Sequence, residues 1–393
     1  MALRRAVAVL GIVAVLTSGC SWLPDRDDPS PQPLRPVWTE VALPTPPGPA
    51  GRLMVRDAAV CADRWYVVGA VGDATGVVTR PAAWTSLDGT SWTAMALTPI
   101  SYYGRQNVLY SVACRSGRIA VLGAKRGGAH ANPRTSSWQH LPDGTLTEVR
   151  APYDLYGGSQ AVDVARMVSG ARGWLITGNR TSGAAVWRSP DAARFQIVEG
   201  APQLASDGAG ETWNFDAVET ESGWLAVGGV IPPGRVDRDP LAWRSDDGVT
   251  WQRVPVPGGP EYDELQRVVL LQGRPVAVGL RGRAFGAWRA DGGSAGQWRA
   301  AGGFGRGQTE GIPGVRGLTV AGDGLFAATT DGSGHALWRS TDAGESWRPV
   351  AAPVPAPSGA ERAATIVGTP DQLLVLIDDA RAGRVFRADA NVP

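Results

Sequence analysis

The chain has 393 residues, a formal net charge of +1, and 52 glycines and 30 prolines that punctuate hydrophobic runs. That charge gives no electrostatic case for nucleic acid, and glycine and proline without a short fixed period favour a turn-rich β protein over a fibrous or disordered chain. The length suits two ordinary domains or one large closed β architecture.

Residues 1–20, MALRRAVAVLGIVAVLTSGC, set Arg4 and Arg5 ahead of an apolar run, Ala6–Leu16, that is too short to span a bilayer. The run ends in Thr17-Ser18-Gly19-Cys20, which resembles the lipobox of bacterial lipoproteins, with Thr17 where leucine is usual. The resemblance implies a signal peptide with lipid on Cys20, and an extracytoplasmic chain anchored to the cell membrane. A plain secretory peptide is the alternative. Residues 21–35, SWLPDRDDPSPQPLR, are rich in proline and aspartate and read as a semi-extended tether.

From there a single sentence recurs. It is complete as HALWRSTDAGESWRPV at 335–350, and recurs as LAWRSDDGVTWQRV at 241–254 and AAWTSLDGTSWTAM at 82–95. Each copy reads as a short strand, a polar turn and a second strand. The aligned anchors Trp84, Trp138, Trp187, Trp243, Trp288, Trp338 and Phe386 recur about every 50 residues, the signature of a repeat architecture. The repeats cover approximately 57–97, 108–149, 161–198, 213–256, 265–300, 315–351 and 363–393. The first six each hold four strands, the second often carrying Ala-Val-Gly. The seventh has only three strands, whereas PVWTEVALP at 36–44 is a spare strand that resembles the fourth strands, with Trp38 matching Trp92, Trp251 and Trp347.

If the spare strand completes the short repeat, the ring closes. The expected fold is therefore an all-β, seven-bladed β-propeller of four-stranded blades over 36–393. A solenoid would need polar caps, and tandem sandwiches do not explain one strand absent at one end and spare at the other. Cys61 and Cys114 occupy equivalent positions in adjacent repeats, in AAVCADRWYVVGA and SVACRSGRIAVLGA. In an oxidising compartment they should form a disulfide, the alternative being two buried free thiols.

The turn S-x-D-x-G-x-x-W at Ser340, Asp342, Gly344 and Trp347 has shortened forms at Ser245, Asp247, Gly248 and Trp251 and at Ser86, Asp88, Gly89 and Trp92. It resembles the Asp-box, or BNR repeat, of sialidases and other secreted propellers. The resemblance implies a structural hairpin between third and fourth strands, on the face opposite the usual binding face. The aspartates are expected to accept the turn's own N–H groups and the tryptophans to pack between blades.

Function is therefore expected on the other face, in the loops that enter each first strand and those joining second to third strands. The entry loops hold most of the 7 tyrosines. Candidate binding residues there are Tyr102, Tyr103, Arg105, Tyr153, Tyr156, Trp213, Tyr262, Glu264, Arg306, Glu310, Glu361 and Arg362. The other loops add Arg126, His130, Asn132, Arg134, Arg235 and Arg238. Aromatic platforms interspersed with charge suit a protein, peptide or glycan partner. The three histidines show no zinc spacing, and no cofactor motif occurs, so neither metal nor cofactor is expected. Asn179-Arg180-Thr181 matches a glycosylation sequon.

Sialidases have six blades, and they need three arginines, a Tyr–Glu pair and an acid/base aspartate. Their Phe/Tyr-Arg-Ile-Pro motif is missing here, and Arg56 in GRLMVRDAA lacks its context. Arg105, Arg267, Arg316 and Arg362 remain as scattered arginines, and Tyr262–Glu264 as a Tyr–Glu pair. The expected protein is a monomeric, membrane-anchored binding or assembly factor that recognises a protein, peptide or cell-wall glycan. A glycan-active hydrolase or lyase on the same face is the alternative. An enzyme should show convergent carboxylates, or Tyr with Glu, in a pocket. A binding protein should show an aromatic rim without them.

Overall fold

The computed structural model describes residues 31–392 apart from residue 74 and residues 128–131, 292–295 and 308–310. The described chain forms seven antiparallel blades, so the fold read from the repeats is the observed one. The first strands are Arg52–Cys61, Val108–Arg115, Ala161–Gly170, Glu211–Thr220, Asp263–Leu271, Gly314–Ala321 and Arg362–Gly368. Each packs against the first strand of the next blade, and the seventh against the first, which closes a ring around a central axis. The remaining strands lie outward in sequence order, apart from the outermost strands of blades two and seven.

The seventh blade takes its outer strand from the N-terminal region. Thr39–Val41 pairs antiparallel with Gly383–Asp389, placing Val41 opposite Val385. Chain ends held in one sheet resist fraying. The tether expected over 21–35 is docked at its described end. The Leu34 N–H donates to the Pro349 carbonyl at 2.9 Å, and the Leu34 carbonyl accepts the Ala351 N–H at 2.8 Å. The cause is apolar burial, since Leu34 joins a cluster with Phe326, Leu337, Val350 and Phe386. Cys20, where the lipobox resemblance implies cleavage and lipidation, lies outside the described residues.

One strand assignment needs correction. The repeat pattern implies one fourth strand through SWTAMAL in blade one, but only Trp92–Ala94 pairs there. After Met95 makes its bond to Ala83, the chain crosses over, and Leu97–Thr98 runs parallel to Leu146–Glu148 as a fifth strand of blade two. Pro99 follows and supplies no N–H to extend the ladder.

Two features repeat because packing demands them. The third-strand tryptophans Trp84, Trp138, Trp187, Trp243 and Trp288 are fully buried. Their indole N–H groups also tie down the chain ahead of each blade: Trp187 donates to Leu155 O at 2.6 Å, Trp243 to Gln203 O at 2.9 Å and Trp288 to Pro257 O at 2.9 Å. The fourth-strand tryptophans wedge against the preceding blade, Trp251 beside Leu175 and Val186, Trp347 beside Val276 and Phe285. Secondly, the first strands of blades one to six each carry a β-bulge, at Arg56, Tyr110, Ala165, Phe215, Gln266 and Arg316. The second-strand glycine faces that bulge. A Cβ on Gly69, Gly228 or Gly279 would stand 1.8 Å from the carbonyl oxygen of Met54, Trp213 or Glu264. Close backbone approach explains the recurrent Ala-Val-Gly.

The residue after the bulge bonds to the next blade. Asp57 accepts the Val112 N–H at 3.0 Å, Ser111 the Met167 N–H at 3.0 Å and Asp216 the Val268 N–H at 3.2 Å. Cys61 and Cys114 form a disulfide between blades one and two, with their Cα atoms 5.4 Å apart.

Candidate functional site

Strand direction puts the entry loops and the loops between second and third strands at one end of the ring. The hairpins between third and fourth strands lie at the other end. At that hairpin end the polar atoms satisfy one another. The Ser86 hydroxyl donates to Asp88 at 2.9 Å and accepts the Gly89 N–H at 2.9 Å, while Asp88 accepts the N–H groups of Thr90 and Ser91 at 2.8 and 2.7 Å. Ser245–Asp247 and Ser340–Asp342 are built alike. Blade three makes the same turn through Ser189 and Asp191, with Ala192 at φ +63° where Gly89 stands at +72°. The Ser91 and Thr90 N–H groups hold the Asp88 carboxyl well below its ordinary range.

The entry end carries two cavities of different chemistry. The first, of about 380 Å³, lies on the rim between blades two and three. Its walls include Tyr103, Arg134, Tyr153 and Tyr156, and its one carboxylate is Glu148. The Arg134 guanidinium lies 4.9 Å from the Tyr153 ring centre and 5.8 Å from that of Tyr103. It lowers the Tyr153 phenol from its ordinary value. Tyr156 is buried, its hydroxyl 3.1 Å from Ser137 Oγ, and the turn Tyr153–Tyr156 is held by the Trp187 bond to Leu155. Burial opposes the charge on Glu148, but Ser101 Oγ, the Ser101 and Ile100 N–H groups and Ser136 Oγ, at 2.6 to 2.8 Å, outweigh it and hold the carboxyl below its ordinary value. A carboxylate so saturated positions loops and has no proton to give. An adjoining cavity of about 300 Å³ shares Arg134, Tyr153 and Tyr156 and adds Asp163, whose pKa is raised by burial against the Asn179 amide bond.

Trp213, Tyr262 and Glu264 meet further round the rim, but not as an open platform. The Arg238 guanidinium fills their space, 4.6 Å from the Trp213 ring centre, 5.5 Å from Phe215 and 5.8 Å from Tyr262. Arg238 donates to both Tyr262 Oη and Glu264 Oε2 at 2.6 Å, and the Tyr262 hydroxyl donates to the same carboxylate at 2.8 Å. Burial and the Glu264 charge push the Tyr262 phenol far up, the opposite of an activated nucleophile.

The second cavity, of about 330 Å³, opens on the axis. It is lined by five arginines, Arg56, Arg166, Arg267, Arg316 and Arg362, and by one carboxylate, Asp57. Arg166 lies 3.4 Å from Asp216 and 3.9 Å from Asp57, and Arg56 lies 2.5 Å from Asp378. Glu361 reaches Arg56 at 3.7 Å. The Asp57 pKa is raised by burial, which Arg166 and the Val112 N–H offset only in part.

Of the remaining candidates, Tyr102 is exposed and edge-on to Tyr103 at 5.2 Å. Arg105 donates to Ile100 O from a 3₁₀ turn, Arg306 is exposed, and Glu310 and His130 lie outside the described residues. Asn179 is buried, bonded to Asp163 and to the Asn214 N–H, so the sequon is internal structure. Sequence reasoning passed over Asp57, Arg166 and Asp216. The signal was there: with the repeats in register, charged residues fall at the first position of DAAV, RMVS, DAVE and RVVL.

The site and ring together define a seven-bladed propeller with a charged axis and an aromatic rim. No family model and no curated protein sequence matches the chain. Among solved structures it is similar to the β-propeller domain of the Trilobed protease from Pyrococcus furiosus, with TM-score 0.50 and 9% identity over 88% of this chain and 96% of that one. It also overlays on a mutant of Trypanosoma rangeli sialidase displaying trans-sialidase activity, with TM-score 0.47 and 11% identity over 91% of this chain and 60% of that one. Penicillium chrysogenum alpha-L-arabinanase complexed with arabinobiose gives TM-score 0.44 and 14% identity over 90% and 99% of the two chains. The chain thus spans about 60% of the length of that sialidase. The likeness to the Pyrococcus furiosus domain agrees with the propeller fold.

Proposed function

We propose that this protein is a membrane-anchored, extracytoplasmic binding or assembly factor that recognises a protein, peptide or cell-wall glycan through its entry face. The observation that carries this reading is the rim cavity. Tyr103, Arg134 and Tyr153 offer aromatic faces and a cation, while the sole carboxylate in its wall is saturated by four hydrogen bonds. Aromatic rings with few polar groups favour recognition of extended ligands at low entropic cost. The Tyr262–Glu264 pair supports the same reading, because Arg238 occupies the place a substrate would need.

The test is crosslinking of the full chain in its own membrane, comparing the native protein with Tyr103→Ala and Arg134→Ala. A crosslinked species present in the native protein and absent from both variants supports the rim as the recognition surface. Equal capture by all three overturns it. Membrane anchoring is tested separately by labelling with a radioactive fatty acid, which Cys20→Ala should abolish.

A second reading, a glycan-active hydrolase or lyase, is favoured by one observation. Asp163 lines the adjoining cavity with a raised pKa, as a general acid requires. Turnover of cell-wall glycan that disappears in Asp163→Asn would establish it, and no turnover by the native chain would remove it.

A further inference from the structure

The axial cavity has an uneven charge balance. Arg56 shares Asp378 with Arg52, and Arg166 lies between Asp216 and Asp57. Arg267, Arg316 and Arg362 have no carboxylate within ion-pair distance among the described residues. Arg267 donates from Nη1 to the carbonyl of its neighbour Gln266 at 2.6 Å, and its buried Nε has no partner. The Arg362 donors reach only backbone, at Ser358 O (2.9 Å) and Asp379 O (3.5 Å). Arg316 donates no hydrogen bond among the described residues, and burial lowers its pKa.

Burial and the neighbouring Arg166 push the Arg267 guanidinium down to about 9, so it stays charged at neutral pH under repulsion. The folded chain therefore holds three like charges facing one space with no ion-pair partner among the described residues, Asp216 and Asp57 answering Arg267 only in part. A concave site with low-dielectric walls concentrates such a field and the counter-ion that answers it.

We propose that the axial cavity binds an oxyanion of the phosphate class, held by Arg267, Arg316 and Arg362. A carboxylate brings one negative charge, whereas a phosphate monoester brings about 1.5 to 2 at neutral pH and three strong acceptor oxygens, which matches three uncompensated guanidinium groups. Guanidinium forks suit that geometry through paired N–H donors. The arginines come from the adjacent blades five, six and seven, so the ligand bridges the inner strands of these three blades. The inference does not rest on the rim cavity, which is walled by blades two and three.

The experiment is calorimetric titration and thermal melting of the full chain with inorganic phosphate, at ionic strength held constant with sodium chloride. The expected result is saturable binding with a raised melting temperature, weakened about tenfold or more in Arg267→Gln and in Arg316→Gln. Arg194→Gln, exposed on the blade-three turn at the opposite end of the ring, should bind as the native chain does. In the absence of phosphate, Arg267→Gln should melt no lower than the native chain, since it removes an uncompensated charge. If that variant fails to fold, Arg316→Gln carries the comparison, because this side chain makes no hydrogen bond or ion pair among the described residues that the substitution would break.

Glycerol 3-phosphate in a parallel titration separates the sources. Tighter binding than phosphate assigns a phosphate ester, and equal binding assigns the free ion. Absence of saturable binding to either, unchanged binding in both variants, or acetate binding as tightly as phosphate would overturn the proposal.

Discussion

At the hairpin end, Asp88, Asp247 and Asp342 each accept hydrogen bonds from residues two to four places ahead, and a serine hydroxyl closes the circuit. At the axis, Arg267, Arg316 and Arg362 share a cavity with no carboxylate of their own among the described residues. The first set recurs in blades one, three, four and six, where the same turn joins third and fourth strands. The second occupies inner-strand and entry-loop positions that the repeat leaves free to vary. Charge that repeats and is satisfied locally builds the scaffold. Charge that breaks the repeat and is left uncompensated marks where a ligand belongs.

The largest expected effect separates scaffold from site. Trp243→Ala removes a fully buried indole and the bond that holds Gln203, and should cost about 3–5 kcal/mol in denaturant unfolding. Phosphate affinity of the molecules that remain folded should not change. A large loss of affinity with little loss of stability would reverse the contrast between the two ends.

The disulfide comes next. Cys61→Ser with Cys114→Ser removes a link closing a sequence separation of 53 residues and should lower stability by about 2–4 kcal/mol. Blades one and two should lose amide-exchange protection first. Uniform loss around the ring would show that the link serves closure as a whole. Smaller is Gly228→Ala, expected to cost about 1–3 kcal/mol, because the added methyl meets the Trp213 carbonyl at 1.8 Å. As this glycine supports the blade-four bulge beside Asp216, the variant should also weaken phosphate binding, which no hairpin-end substitution should do.

The smallest effect is electrostatic. Burial opposes the Asp342 charge, but the Ser346 hydroxyl and N–H and the Ser340 hydroxyl outweigh it and hold its pKa below 3.8. With the folded value depressed, the contribution is fully present above the unfolded value and is lost as pH falls through the folded one. Unfolding midpoints measured from pH 5 downward should therefore fall less steeply for Asp342→Asn than for the native chain. Identical slopes would mean that the hairpin carboxylates do not stabilise the ring through their charge.

The sequence by itself determined the ring. Alternating strands, a tryptophan about every 50 residues and one strand short at the end fix the number of blades and the closure, because each requirement is local or repeats. It also determined the Cys61–Cys114 link, since equivalent positions in adjacent repeats are neighbours. The tertiary structure alone decided how the loops use their side chains. Trp213 and Tyr262 looked like an open platform, but Arg238, from another loop, fills the space between them. Leu34 looked like part of a tether, but an apolar groove takes it. Arg267, Arg316 and Arg362 looked like scattered arginines until ring closure brought three blades to one cavity. Loop side chains answer to neighbours from other blades, and those neighbours exist only once the ring has closed.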